Sequence, residues 1–462
     1  MIIVKEEGKQ IKLREALLDV SRYKVVLTLA LPAMIEHILQ VLIGVVDTYF
    51  VSRLGTEAIA GVGITNLIIN VYIAFFVALG VGTTAVVSRN IGAGETEAAN
   101  HAVRQSIIMA LVIGIISGIF NLLFYKRLFL LLGAEEKVMA YGIPYFLIVA
   151  VPSIFLCIIK VLSSALRGGG DTKTPMKVGV ISNIINIVLD YVLIFGIFGF
   201  SGLGIVGAAL ATTISRIVGA SMLFIKLNDK KGKLKVNFFD SWKVDKSTIK
   251  SITKIGLPAA IEKLIMRFGQ LVYSGMIIKI GTLAYGAHNI AGTIESFSYL
   301  PGFGFAIAAS TLVGQNLGAG RPKEAQAYGL ISNFLSTIFM GAMGITFYIF
   351  APSLAGIFTQ DAEVSILVVK VLRIIACFQP FLSITFVITS ALQGAGDTKF
   401  PMYSTLIGIW GVRVLGVYLL GITLKMGLIG VWIAYVFDIS IRGIILMVRF
   451  MRGKWKEIKI ES

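Results

Sequence analysis

The chain has 462 residues, 56% of them hydrophobic and only 15% charged, with a mean hydropathy of +0.86. Soluble domains average about 45–50% apolar and about 25% charged residues, so a soluble enzyme or binding module is excluded and a polytopic membrane protein is expected. A net charge of +17 would suit nucleic acid, but the basic residues sit where membrane topology wants them, as shown below.

Residues 1–23 are polar and basic and lack a signal-peptide pattern, so they are expected as a cytoplasmic arm. Twelve apolar segments follow, each able to cross a bilayer core of about 30 Å. The first is 24–50. It contains Pro32, Glu36, His37, Gln40 and Asp47. Ionisable groups inside hydrocarbon are costly and are functional candidates by default. Glu36 and Asp47 fall on one helical face, about three turns apart. Pro32, one turn before Glu36, can bend the helix. Spans 57–82, 97–123 and 138–163 follow, and Cys157 in the last is read as a small buried hydrophobe.

The phrase SALRGGGDTKTPM then starts at Ser164. It lacks the strand and the Gly-Lys-Ser/Thr ending of a phosphate loop. It reads as a tight turn between helices, with Asp171 and Thr172 as caps and Arg167, Lys173 and Lys177 at the inner membrane surface. The fifth span, 176–198, carries Asn183, Asn186 and Asp190 at i, i+3 and i+7. That polar stripe should face a cavity or bond to other helices. The sixth span is 203–226. A Lys-rich stretch to Lys250 reads as a cytoplasmic inter-lobe loop.

The second six spans are 252–280, 284–314, 325–350, 364–391, 400–421 and 428–450. Their polar groups include Glu262, Lys263, Arg267, Gln270, Glu295, Gln379, Arg413, Asp438 and Arg442. Asp438 and Arg442, spaced i and i+4, are expected to pair, as are Glu262 and Lys263. His288 is read as structural. Phe297, Tyr299, Phe303 and Phe305 are read as packing. Cys377 is read like Cys157.

The halves repeat. LPAMIEH at Leu31 answers LPAAIEK at Leu257, NIGAG at Asn90 answers NLGAG at Asn316, and SALRGGGDTK answers SALQGAGDTK at Ser390, each 226 residues apart. The expected fold is an all-α membrane protein of twelve transmembrane helices in two six-helix lobes, 1–226 and 251–462, joined by the loop 227–250. With six spans each, the lobes are parallel and related by a pseudo-twofold along the membrane normal. The polar sets differ between halves: Asp47 corresponds to Tyr273 and Asp190 to Gly416. With a cytoplasmic N-terminus, most Lys and Arg face inward. The outward loops hold only Arg53, Lys126, Arg127, Lys137, Lys279 and Lys425.

The stretches IEHILQVLIGVVDTYFVSRLGTEAIAGVGI, NIINIVLDYVLIFG and SFSYLPGFGFAIAASTLVGQNLGAGRPKEA, with the DTK phrase, resemble the multidrug and toxic compound extrusion family, and its DinF-like prokaryotic branch in particular. The resemblance implies two lobes forming a V and efflux of amphiphilic, often cationic, compounds against an H⁺ or Na⁺ gradient. It implies a cation site in the amino-terminal lobe, matched by Asp47, Asn186, Asp190 and Thr212, and a bent first helix, matched by Pro32. A Glu that other branches carry on the seventh helix is Met266 here. Candidates for the substrate cavity are Glu36, Gln40, Asn183, Glu262, Gln270, Tyr273 and Glu295. The expected partners are small amphiphilic substrates, H⁺ or Na⁺ and membrane lipid, with no cofactor, no resident metal and no nucleic acid. A monomer is expected in a prokaryotic inner membrane, with both termini cytoplasmic. A flippase for a lipid-linked precursor, or a membrane-embedded enzyme, are the alternative readings.

Overall fold

A computed structural model describes residues 13–196, 201–229, 232–236 and 242–460, and its described residues contain helices and no strand. A short α1 (Leu13–Leu18) precedes α2 (Val20–Ser52), α3 (Thr56–Ala93) and α4 (Thr96–Leu131). Then come α5 (Glu136–Ala150), α6 (Ser153–Gly168), α7 (Lys173–Phe195) and α8 (Ile205–Leu227). The second half holds α9 (Lys246–Ile280), α10 (Thr282–Gly318), α11 (Pro322–Phe358), α12 (Ala362–Ala376), α13 (Gln379–Gly394), α14 (Lys399–Leu406) and α15 (Gly427–Arg452).

Among the described residues, nine unbroken helical segments are long and apolar enough to cross a membrane, and two bent pairs bring the number to 11. The twelfth crossing is α9, whose middle carries Glu262, Lys263 and Arg267. The bent pairs correct two expected single spans. Residues 138–163 form α5 and α6 with a 48° bend, and 364–391 form α12 and α13 with a 58° bend. Pro152 and Pro380 lie at these breaks, where each removes a backbone donor. In the first pair the freed carbonyls are recovered: Thr213 donates to Ile148 O (2.8 Å), Arg216 to Val149 O (3.1 Å) and Asn121 to Ala150 O (2.9 Å).

A third departure is at 400–421. There α14 passes into π-helical turns, Ile407–Val414 and Val417–Thr423. Wide turns of this kind are rare and cluster at functional sites. Arg413 lies in the first of them.

Two apolar cores correspond to the two halves. A third joins them: Val26, Leu29, Ala30 and Met34 of α2 pack with Phe305, Ala309 and Leu312 of α10 and with α13 and α15. The early part of α9 likewise packs on α3. An added Cβ on Gly82 would strike Ile252 of α9, and one on Gly304 would strike Met34. The first and seventh crossings therefore tie each half to the other.

Candidate functional site

The polar stripe of α7 turns inward. Asp190 is 1% exposed and Asn186 8%, while Asn183 is half-buried. The helix packs between α2 and α8, which brings Asp47 of α2 into electrostatic contact with Asp190. Thr212 of α8 lies beside Tyr145 of α5. Both carboxylate oxygens of Asp190 are buried without a protein partner, as are Oδ1 of Asp47 and Nδ2 of Asn186. Burying such groups unpaired costs several kcal/mol on the order of the transfer penalty, so the geometry leaves room for an exogenous partner. The donors are carboxylate, amide and hydroxyl oxygens, which suit a proton or a hard cation. Among the described residues no group of three or more His, Cys, Asp or Glu forms a metal cage.

One member of this neighbourhood was not singled out by sequence. Arg216 of α8 interacts with Asp47, Tyr72 and Tyr145. It is a lone cation in an apolar span, so the argument applied to the acids would have flagged it.

A separate cavity of about 660 Å³ lies between the halves. Glu36, Gln40, Gln270, Tyr273 and Glu295 line it, whereas Asn183 and Glu262 do not. The residues of the Asp47–Asp190 pocket are not on its wall either. Glu36 is held by Arg167 at 2.6 Å, with Gln40 3.4 Å away. Arg167 thus turns into the protein rather than anchoring at the surface as expected. Glu262 accepts from Gln393 (2.9 Å) and Thr405 (3.5 Å), not from Lys263. Glu295 accepts from the Tyr435 hydroxyl at 2.9 Å. Arg413 stacks over the Tyr435 ring, 4.0 Å from its centroid, and pairs with Asp438 at 2.6 Å. The expected Asp438–Arg442 pair is present at 2.6 Å, so Asp438, fully buried, serves two arginines.

Of the four aromatics read as packing, Tyr299 and Phe303 line the cavity beside Phe386, Trp432 and Tyr435. Phe305 is buried in the core and Phe297 is half exposed on the outside. His288, with its ring edge-on to Trp432, also lines the cavity. Cys157 is buried and Cys377 exposed.

The cavity is closed at the end where the described chain both begins and finishes. Thr311 donates to Arg167 O (3.0 Å) and Gln315 to Gly168 O (2.8 Å). Arg89 donates to Ala395 O (3.2 Å) and Ile458 O (2.9 Å). The DTK turns serve this closure differently. Asp171 caps its helix through Thr174 N (2.9 Å), while Asp397 pairs with Arg449 (2.9 Å).

The MatE family model matches residues 32–192 and 258–419, two segments whose starts lie 226 residues apart. A probable multidrug resistance protein NorM of Thermotoga maritima is 34% identical, over 94% of this chain and 93% of its own. An FAD transporter of Shewanella oneidensis is 28% identical over 86% of this chain and 87% of its own. A crystal structure of MATE in the straight conformation superposes with a TM-score of 0.87 at 26% identity, covering 96% of this chain and 100% of that one. A crystal structure of MATE in the bent conformation gives 0.87 at 25% identity, covering 96% and 99%.

Proposed function

This chain belongs to the MatE family of multi-pass membrane transporters, and from that premise we propose that it exports amphiphilic compounds by alternating access, driven by entry of H⁺ or Na⁺. The observation that carries the coupling is Asp190: both carboxylate oxygens are buried without a protein partner, beside Asp47. Two carboxylates close together in a low-dielectric pocket repel, and a proton or a small cation relieves that repulsion. Asn186 and Thr212 supply further oxygens. A ligand shifts a conformational equilibrium only through different affinities for the two forms. Asp47 and Asp190 ride on α2 and α7, so loading the pocket favours the form in which those helices bring the acids together.

Pro32 is the hinge in this scheme. In this form α2 runs unbroken through Pro32, with the proline leaving one ladder bond unmade. Similar proteins have been crystallised in straight and bent conformations. Cargo occupies the central cavity, which a single chain builds from both of its lobes, so a monomer suffices. Both termini and the two DTK turns lie on the cytoplasmic side of a prokaryotic inner membrane, where the excess of Lys and Arg belongs.

Asp47→Asn and Asp190→Asn test the pocket, because each keeps shape and hydrogen bonding without ionising. Each folded variant should lose gradient-driven export of whichever cargo, ethidium or FMN, the wild-type protein moves. A folded variant that exports at the wild-type rate removes that residue from the coupling site.

A further inference from the structure

The cavity's charges oppose cationic cargo. Its wall carries Lys160, Arg167, Lys263, Arg267 and Arg413 against only two carboxylates, Glu36 and Glu295. Both carboxylates are already engaged. Glu36 is bound by Arg167 at 2.6 Å, and Glu295 takes the Tyr435 hydroxyl in the field of Arg413. Arg413 is paired with Asp438. Three cations make no salt bridge among the described residues: Lys160 on α6, which feels Glu36 only at longer range, and Lys263 and Arg267 on α9, where Arg267 reaches the Gln270 amide at 3.3 Å. Counting Glu262, buried behind the wall, still leaves a positive excess. The same wall carries an aromatic cluster of Tyr299, Phe303 and Phe386, with the Phe303 and Phe386 rings 4.9 Å apart and Tyr299 within electrostatic reach of Arg267.

We propose that this cavity binds planar aromatic anions, a ring system bearing a phosphate or carboxylate, with Lys160, Lys263 and Arg267 receiving the anion and the aromatic surface receiving the ring. The proposal rests on the reading of the cavity as the cargo site. A walled cavity with an excess of one sign concentrates ligands of the other. Guanidinium and ammonium groups match phosphate and carboxylate. A cationic drug would find both acids on the wall already bonded and three cations that make no salt bridge. The aromatic surface favours a free aromatic anion, although a phosphate carried on a lipid would satisfy the same cations.

The test is equilibrium binding to the purified full chain in uncharged detergent, using FMN, riboflavin and ethidium. FMN and riboflavin share a ring and differ by one phosphate, and ethidium is a planar cation. FMN should bind at least about tenfold more tightly than riboflavin, as expected for charged hydrogen bonds gained on binding, with ethidium weakest. In Lys160→Gln/Arg267→Gln, FMN affinity should fall to that of riboflavin while riboflavin affinity stays put. The unchanged riboflavin value also shows that the variant is folded. FMN binding no better than riboflavin, or ethidium binding best, overturns the proposal, even where dihexanoyl phosphatidate binds. If FMN leads and dihexanoyl phosphatidate fails to displace it, the free aromatic anion is supported. Proteoliposomes separate this proposal from the exporter reading. Gradient-driven ethidium export without preferential FMN binding refutes the anion and keeps the exporter. Preferential FMN binding without gradient-driven transport keeps the anion and refutes the exporter.

Discussion

Gly92 stands at the closed end of the cavity, near the end of α3. Its φ is not in the left-handed region, so alanine fits its backbone. Space is the obstacle. A Cβ there would overlap the carbonyl oxygen of Gln315 on α10 and lie 2.6 Å from its carbonyl carbon and 2.8 Å from its Cα, where ordinary contact is 3.4–4 Å. All three are backbone atoms, so no side chain can swing away. In Gly92→Ala the two backbones must separate by more than an ångström to restore ordinary contact, and the bonds from Gln315 and Thr311 to the DTK turn must stretch. Overpacking of this kind costs about 1–3 kcal/mol. The gain in helix propensity, about 1 kcal/mol, applies to every form of the protein and cancels from their ratio. The closed-end form should therefore lose about 5- to 150-fold in population relative to forms in which the halves part. Gly318, the repeat mate, meets Arg89 O in the same way, so Gly318→Ala should act in the same direction. The assay is a spin-label distance between cysteines at Glu95 and Lys323, both exposed, with Cys157 and Cys377 replaced by alanine. A shift of the distribution to longer distances is expected. An unchanged distribution would refute the claim that these glycines hold the halves together in one form only.

Three further outcomes are expected. Asp438→Ala leaves Arg413 and Arg442 buried without a counter-ion, a loss of about 3–5 kcal/mol, so the detergent-solubilised protein should melt markedly lower, whereas Arg442→Met, which leaves the Arg413 pair, should cost less. Pro32→Ala restores a ladder bond, and transport should fall further than the amount of folded protein in the membrane; equal losses would make Pro32 a folding residue only. Asp245 caps α9 outside the membrane, where hydrogen bonds from the Thr248 hydroxyl (2.5 Å) and Ser247 N (3.0 Å) hold its carboxyl down at about 2 from an ordinary 3.8. With the folded value depressed, the cap's contribution is present above pH 3.8 and lost as pH falls through about 2. Hydrogen exchange at Ser247 and Thr248 should accelerate in Asp245→Ala at neutral pH by the equivalent of about 0.5–2 kcal/mol, and equal protection in both proteins would contradict this.

Long apolar runs and a constant offset made the twelve crossings and the duplication legible, because hydropathy reports the hydrocarbon slab directly. It does not report helix length beyond the slab. The second span was expected to end at 82, yet α3 runs to Ala93, and that overhang carries Gly92 and the closure of the cavity. The bends at Pro152 and Pro380 were hidden because a broken span keeps the mean hydropathy of an intact one. The NIGAG and NLGAG phrases stood out in the sequence as repeat marks, and their first glycines prove to be close approaches between halves, which only the assembled bundle reveals. Within the polar set, the α7 stripe and the Asp438–Arg442 pair followed from helical spacing alone. Partners from distant helices did not: Arg167 for Glu36, Gln393 for Glu262, Tyr435 for Glu295 and Arg413 for Asp438. Those pairings decide which charges on the cavity wall are left without a salt bridge, and the proposed anion site rests on them.

The central claim is that cation entry through the Asp47–Asp190 pocket drives export. Purified protein in sealed proteoliposomes, given a pH gradient and a Na⁺ gradient in separate experiments, tests it most directly, with FMN and ethidium each offered as cargo. The account predicts that at least one of the two gradients drives uphill movement of cargo through the wild-type protein, and that neither does so through Asp190→Asn. Uphill movement that persists in Asp190→Asn at the wild-type rate, or wild-type protein that responds to neither gradient, would contradict it.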